Sequence, residues 1–311
     1  MDETRAFMEN AGLPAGDLTE HAVSELRFPD GGHFRIEIPS TEGPEALEVV
    51  IDEAGRRGVP IHRVSQGSGI MLQTDDELRR LKDLGDEHGI EVSLFTGPRA
   101  AWDIGSQTTS PAGRVIGASL RGADQLLYGI EDVRHACELG LRSVLVADLG
   151  QLWALGRMKE TGDLPSDLVL KVSVSLPVAN PATARVLEDL GATTLNLPVD
   201  LTVAQIGAIR RAVQCPLDIY IEAPDDFGSP VRYYEIPDIV RVAAPVYLKF
   251  TVRNSPGLYP SGGHIRGLAL DTARERVRRA EIGLSILRRY MPEAKASPKS
   301  KTRQATKGTE A

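Results

Sequence analysis

Several short β-branched runs carry ionisable residues at alternate positions. In Phe34-Arg35-Ile36-Glu37-Ile38 the apolar side chains share one face of a strand, which leaves Arg35 and Glu37 on the other. In Asp218-Ile219-Tyr220-Ile221-Glu222, Ile219 and Ile221 oppose Asp218, Tyr220 and Glu222. Val172 and Val174 oppose Lys171, Ser173 and Ser175, and the run Tyr247-Leu248-Lys249-Phe250-Thr251 adds Lys249. A charge left unpaired in an apolar interior is costly, so this polar face needs either internal partners or a function. Arg35, Lys171 and Asp218 read equally well as a salt-bridge network. Glu37 and Glu222, near the tops of their strands, read as functional. Paired carboxylates can serve as general acid and base, one neutral because the other is charged, or can ligate a divalent ion.

Other groups could assist them. His62 could supply an imidazole ligand or acid/base group, and a hydrogen-bonded structural histidine explains it as well. Lys249 could form a Schiff base if desolvated, although an ion pair with Glu222 explains it with less chemistry. The catalytic set is therefore Glu37, Glu222, His62 and Lys249. Arg63, Arg99 and Arg253 follow strands and suit an anionic substrate group. Arg63, Gln66, Asn196 and Arg253 form the candidate substrate-binding set. Asp148 reads as a helix cap ahead of a catalytic acid.

The elements that must position these groups follow a repeating grammar. A helix-period segment ends at glycine, and a β-branched run follows. Gly58, Gly89, Gly140 and Gly191 each supply the left-handed stop. Thr74 with Glu77 and Thr202 with Gln205 fit the capping box, and Asn180 precedes Pro181 at a helix start. Strands are expected at about 33–39, 60–65, 90–96, 124–128, 143–148, 169–175, 193–198 and 217–222, with a further run at 246–252. That number of alternating units predicts an α/β fold, a single-domain TIM-type (β/α)8 barrel with its chemistry at the C-terminal strand ends.

The barrel is expected over 31–291. Residues 1–30 form a lead-in with a short helix that could close the floor, and 292–311 form a disordered basic tail. The polar stretch 98–123 suits a long loop over the mouth, with a helix at about 112–121. A last helix over about 270–290 carries Arg274, Arg276, Arg278 and Arg279 on a solvated face.

Composition narrows the function classes. The 311 residues are 41% hydrophobic and 25% charged, with a net charge of -7, which disfavours nucleic acid and anionic membrane as partners. No apolar run is long enough to span a bilayer, and no secretory h-region follows Met1, so a cytoplasmic protein is expected. Two cysteines, Cys137 and Cys215, are too few for a four-thiolate zinc site or a cysteine-held iron–sulfur cluster. The segment Ser65-Gln66-Gly67-Ser68-Gly69 matches neither dinucleotide nor phosphate-loop patterns, so no nucleotide cofactor is expected. No serine, zinc or cysteine protease motif occurs. A divalent metal stays open as cofactor, a small molecule or peptide as substrate, and a homo-oligomer as assembly.

Five segments resemble the collagenase-like U32 peptidase family. They are Ile38-Pro39-Ser40-Thr41-Glu42-Gly43-Pro44-Glu45-Ala46-Leu47, Val144-Leu145-Val146-Ala147-Asp148-Leu149-Gly150, Ser173-Val174-Ser175-Leu176-Pro177-Val178-Ala179-Asn180, Ala184-Arg185-Val186-Leu187-Glu188-Asp189-Leu190-Gly191-Ala192 and Asp200-Leu201-Thr202. The likeness covers about 33–225. It implies a barrel and, loosely, a hydrolase, since the family has no agreed catalytic residues. Where the family signature has Glu-x-Phe-x-His-Gly followed by cysteines, this chain reads Asp218-Ile219-Tyr220-Ile221-Glu222-Ala223-Pro224-Asp225-Asp226. The iron–sulfur chemistry of members that hydroxylate tRNA, rRNA or quinones therefore does not carry over. The expectation is a hydrolase using carboxylate acid/base chemistry on a small or peptide-like polar substrate. The alternatives are a metal-dependent lyase or isomerase of carbonyl substrates, and a non-catalytic partner subunit.

Overall fold

The computed structural model describes residues 2–17, 23–103, 105–228 and 230–299. Eight parallel strands close into one barrel in chain order, and β1 (Phe34–Pro39) pairs with β8 (Val246–Phe250). Between them lie β2 (Arg63–Gln66), β3 (Glu91–Phe95), β4 (Ser143–Val146), β5 (Val169–Val172), β6 (Thr194–Asn196) and β7 (Leu217–Glu222). Helix α1 (Asp2–Asn10) precedes the barrel. Its outer ring is α2 (Pro44–Arg57), α3 (Asp75–His88), α4 (Gly122–Glu138), α5 (Leu149–Thr161), α6 (Pro181–Asp189), α7 (Val203–Ala212), α8 (Ile236–Ala243) and α9 (Arg266–Tyr290). No helix among the described residues is long and apolar enough to cross a membrane.

Local chemistry sets the boundaries. Both expected capping boxes form, at Thr74 with Glu77 and at Thr202 with Gln205, and Asn180 caps α6 by accepting from Thr183 N. Gly58 and Gly89 end α2 and α3 at φ 64, where a side chain would clash. Asp148 caps α5 by accepting from Gln151 N at 2.9 Å, and its other oxygen accepts from Leu120 N at 3.0 Å. Ile36, Ile38, Leu170, Val172, Ile219 and Ile221 are fully or nearly fully buried in the main core cluster, where the strands meet the helices.

Four expectations need correction. Residues 124–128 are helix, not strand. They open α4, whose buried residues Gly129, Val133, Ala136 and Cys137 repeat at helical spacing, while Leu127 and Tyr128 face outward. A short apolar run does not by itself distinguish the two states. The run at 246–252 therefore supplies the eighth strand. The helix expected near 112–121 is a 3-10 turn, Ala112–Ile116, the third of three after Ala100–Trp102 and Ser106–Thr109. Arg276 does not lie on a solvated face of α9: it is buried beside Ala273, Val277 and Ala280 and donates to the Ser40 carbonyl at 2.9 Å.

The last correction concerns the tail. Within 292–299 Ser297 is buried and Ala294 and Ala296 are partly buried, and the rest of the expected tail lies outside the described residues. His33 N donates to the Lys295 carbonyl at 2.8 Å and Ser297 N to the Phe34 carbonyl at 3.0 Å, so this segment lies along the lower end of β1. It packs so closely that a Cβ on Gly32 would lie 2.7 Å from Ser297 N. Phe28 caps the same end, edge-on to Tyr247 at 5.4 Å between ring centroids.

Candidate functional site

The barrel interior holds three acids and three bases. Glu37 accepts from Lys171 Nζ and, at 2.6 Å, from Ser65 Oγ; Lys249 Nζ and Arg63 NH1 each lie 3.4 Å from its carboxylate. Asp218 accepts from Thr194 Oγ1 at 2.7 Å and pairs with Arg63 at 3.3 Å and Lys171 at 3.4 Å. Glu91 takes Arg63 through Nε at 2.8 Å and NH2 at 3.2 Å, and Ser143 Oγ adds a 2.7 Å bond. The Arg63 guanidinium lies over the Tyr247 ring, 3.6 Å from its centroid.

Register explains the convergence. Glu37 sits beside Arg63 on one side and Lys249 on the other, and Arg63 beside Glu91. Burial would raise the Glu37 carboxyl, but Lys171, Lys249 and Arg63 outweigh it and hold it well below the usual carboxylate range. Burial pulls Lys171 below the ordinary lysine value despite Glu37 and Asp218.

Above this network the C-terminal strand ends surround a cavity of about 440 Å³. Ser65 and Gln66 from β2, Asn196 from β6, Tyr220 from β7 and Lys249 from β8 line it, with Ser173 and Ser175 after β5. Phe95, Leu145, Val174 and Phe227 give it apolar wall, and Arg99, Trp102 and Arg114 from the segment between β3 and α4 cover one side. Lys249 Nζ lies 4.2 Å from the Tyr220 ring centroid. With its amide oriented to satisfy both neighbours, Asn196 donates to the Asp218 carbonyl at 3.2 Å and accepts from Lys249 Nζ at 2.8 Å.

The expected site residues divide. Lys249, Gln66 and Asn196 line the cavity, and Glu37 lies one contact below it, through Ser65 and Lys249. Glu222 is elsewhere. A register shift between Tyr220 and Glu222 turns it away from the network, and it accepts from Tyr233 Oη at 2.7 Å and Arg253 N at 2.9 Å, with Arg279 at 3.6 Å. Glu37 and Glu222 share no hydrogen-bond or ion-pair partner among the described residues, so the structure does not assemble them as a pair. Nor does Lys249 pair with Glu222: its carboxylate partner is Glu37.

His62 lies at the opposite end. It precedes β2, its Nδ1 accepts from Ile36 N at 3.0 Å, and its Nε2 donates to the Ser297 carbonyl at 2.8 Å. Burial lowers it to about 4, the state of a neutral structural imidazole. Arg63 is sealed inside the ion network at 2% exposure, and Arg253 is exposed and does not line the cavity. Arg35 serves the floor, pairing with Asp30 at 2.9 Å. Among the described residues no group of three or more His, Cys, Asp or Glu could hold a metal ion. The interior carboxylates are already committed to lysine and arginine.

Fold and interior together define a TIM-type (β/α)8 barrel with a polar mouth. The chain is similar in structure to a Rubisco-like protein from Rhodopseudomonas palustris, with a TM-score of 0.50 and 10% identity over 87% of this chain and 70% of that one. It is also similar to a truncated 3-deoxy-D-arabino-heptulosonate 7-phosphate synthase from Thermotoga maritima, with a TM-score of 0.46 and 12% identity over 85% of this chain and 89% of the other. A U32 peptidase matches with a TM-score of 0.43 and 17% identity, over 76% of this chain and 96% of that structure. At such identities the likeness is one of fold. No family model matches the chain, and no curated protein does.

Proposed function

We propose that this protein is a barrel enzyme that binds a small anionic substrate at the mouth, with a carbonyl or carboxylate oxygen resting on the Lys249 ammonium. The carrying observation is the charge of the cavity. Among the described residues its lining includes Lys249, Arg99 and Arg114 and no acidic side chain, on a chain whose net charge is -7. Lys249 is also the one charged member of the buried network that lines the cavity among the described residues. The network beneath holds that ammonium in place, and a fixed cation stabilises negative charge as it develops on a substrate oxygen.

This chemistry replaces carboxylate acid/base work. Glu37, ion-paired by three cations, stays anionic and has no proton to give at neutral pH. Hydrolysis of a peptide-like substrate, the reaction the U32 resemblance implies, would use Lys249 on the scissile carbonyl in the same way. Titration calorimetry with acetate, pyruvate, oxalate and malonate tests the reading. At least one should bind, and Lys249→Met should weaken it about tenfold or more while Glu222→Gln leaves it unchanged. Binding that is indifferent to Lys249→Met, or none at all up to about 10 mM, rules the reading out.

A further inference from the structure

The mouth holds a second cationic place that the Lys249 reading does not use. Arg99 follows β3, and its guanidinium is sandwiched 3.7 Å from the Phe95 ring centroid and 4.1 Å from that of Trp102. NH2 donates to the Gly67 carbonyl at 2.6 Å, while Nε is buried without a partner. The residue is only 8% exposed, and among the described residues no carboxylate lies within ion-pair distance of it. Arg114, from the turn Ala112–Ile116, lines the same cavity and likewise has no ion pair among the described residues.

Burying a guanidinium is expensive unless attraction offsets the desolvation. Glu42 and Asp132 attract Arg99 only from beyond ion-pair distance, and burial outweighs them. Arg63, equally buried, has Glu91, Glu37 and Asp218 around it. Arg210 and Arg276 also lack carboxylate partners within ion-pair distance among the described residues and, like Arg99, each donates to a backbone carbonyl, but neither lines the cavity. Arg99 differs in lining the cavity while two rings, Phe95 and Trp102, hold its guanidinium in place. Burial pulls it down to about 10, which still leaves it charged at neutral pH.

We infer that Arg99 and Arg114 form a second oxyanion subsite, so that the substrate carries two acidic groups, one on Lys249 and one under the Trp102 side of the mouth. The inference rests on the Lys249 reading for the first group and on Arg99 and Arg114 alone for the second. A guanidinium fork matches carboxylate and phosphate equally, so either can be the second group. The apolar wall of Leu145, Val174 and Phe227 suits a short carbon chain joining the two.

The test compares single-charge and two-charge probes on the whole protein. Butyrate is set against glutarate for a second carboxylate, and glycerate against 3-phosphoglycerate for a phosphate. One or both two-charge probes should bind about tenfold or more tightly than their partners, and the better pair identifies the second group. Arg114→Met, at an exposed side chain, and Arg99→Met should each erase most of that advantage, and Arg99→Lys should restore only part. Circular dichroism checks folding, and if Arg99→Met does not fold, Arg114→Met decides. Lys249→Met should weaken one-charge and two-charge probes alike. Two-charge probes that bind no tighter than their partners, or an advantage that survives the arginine substitutions, overturn the inference. Indifference to Lys249→Met with the advantage intact would instead remove the Lys249 reading and keep the second subsite.

Discussion

The lower interior of the barrel and its mouth solve the problem of buried charge in opposite ways. Below, Glu37, Asp218 and Glu91 face Lys171, Lys249 and Arg63, and the charges cancel within a set of mutually bonded side chains. At the mouth, Arg99 and Arg114 line the cavity beside Lys249, and among the described residues no acidic side chain lines it. A closed set that satisfies itself holds structure together. An open set that does not is where a ligand can supply what is missing.

If the lower set is structural, breaking it should cost more than any change at the mouth or on the outside. Glu37→Gln leaves Lys171, Lys249 and Arg63 short of a counter-charge, and urea unfolding should show a loss of about 3–5 kcal/mol. A loss comparable to that of Glu222→Gln would erase the distinction. Acid should act next, through the floor. His62 is held neutral, so its contribution is complete above about pH 6.5 and falls away as pH drops toward about 4, where the folded protein also takes the proton. The full loss is about 3 kcal/mol, and His62→Gln should flatten the slope of stability between those pH values.

Glu222→Gln should cost less, about 1–2 kcal/mol, because the amide still accepts one of the two hydrogen bonds from Tyr233 and Arg253. Its substrate affinity should match the parent protein. The smallest effect belongs to an element outside both regions. Thr74→Ala opens the capping box of α3 and should cost about 1 kcal/mol with no change in ligand binding. A binding defect in that variant would show that the mouth is coupled to the outer ring.

The barrel was legible because its punctuation is chemical: glycines that stop helices and hydroxyl or amide side chains that start them. Alternation placed Glu37, Lys171, Asp218 and Lys249 inside correctly, since each follows regular strand geometry. It failed for Glu222, where a local register shift breaks the period of two on which the inference depends. His62 was misplaced because β2 begins at Arg63, so the histidine belongs to the bottom of the barrel and not its top. Arg99 was visible as a basic residue after a strand. Its companions Trp102 and Arg114 carried no periodic signal, because the segment between β3 and α4 folds as short 3-10 turns packed on one another. Nothing local marks Ser297 as a partner of His62 either, as the two lie 235 positions apart.

That last contact has a consequence for how the molecule is made. The lower edge of β1 is completed by a segment some 262 positions further along the chain. A ribosome adding roughly 5–20 residues per second takes on the order of tens of seconds to deliver it. Until then His33 and Phe34 lack the backbone partners that Lys295 and Ser297 supply, so the bottom of β1 is finished last.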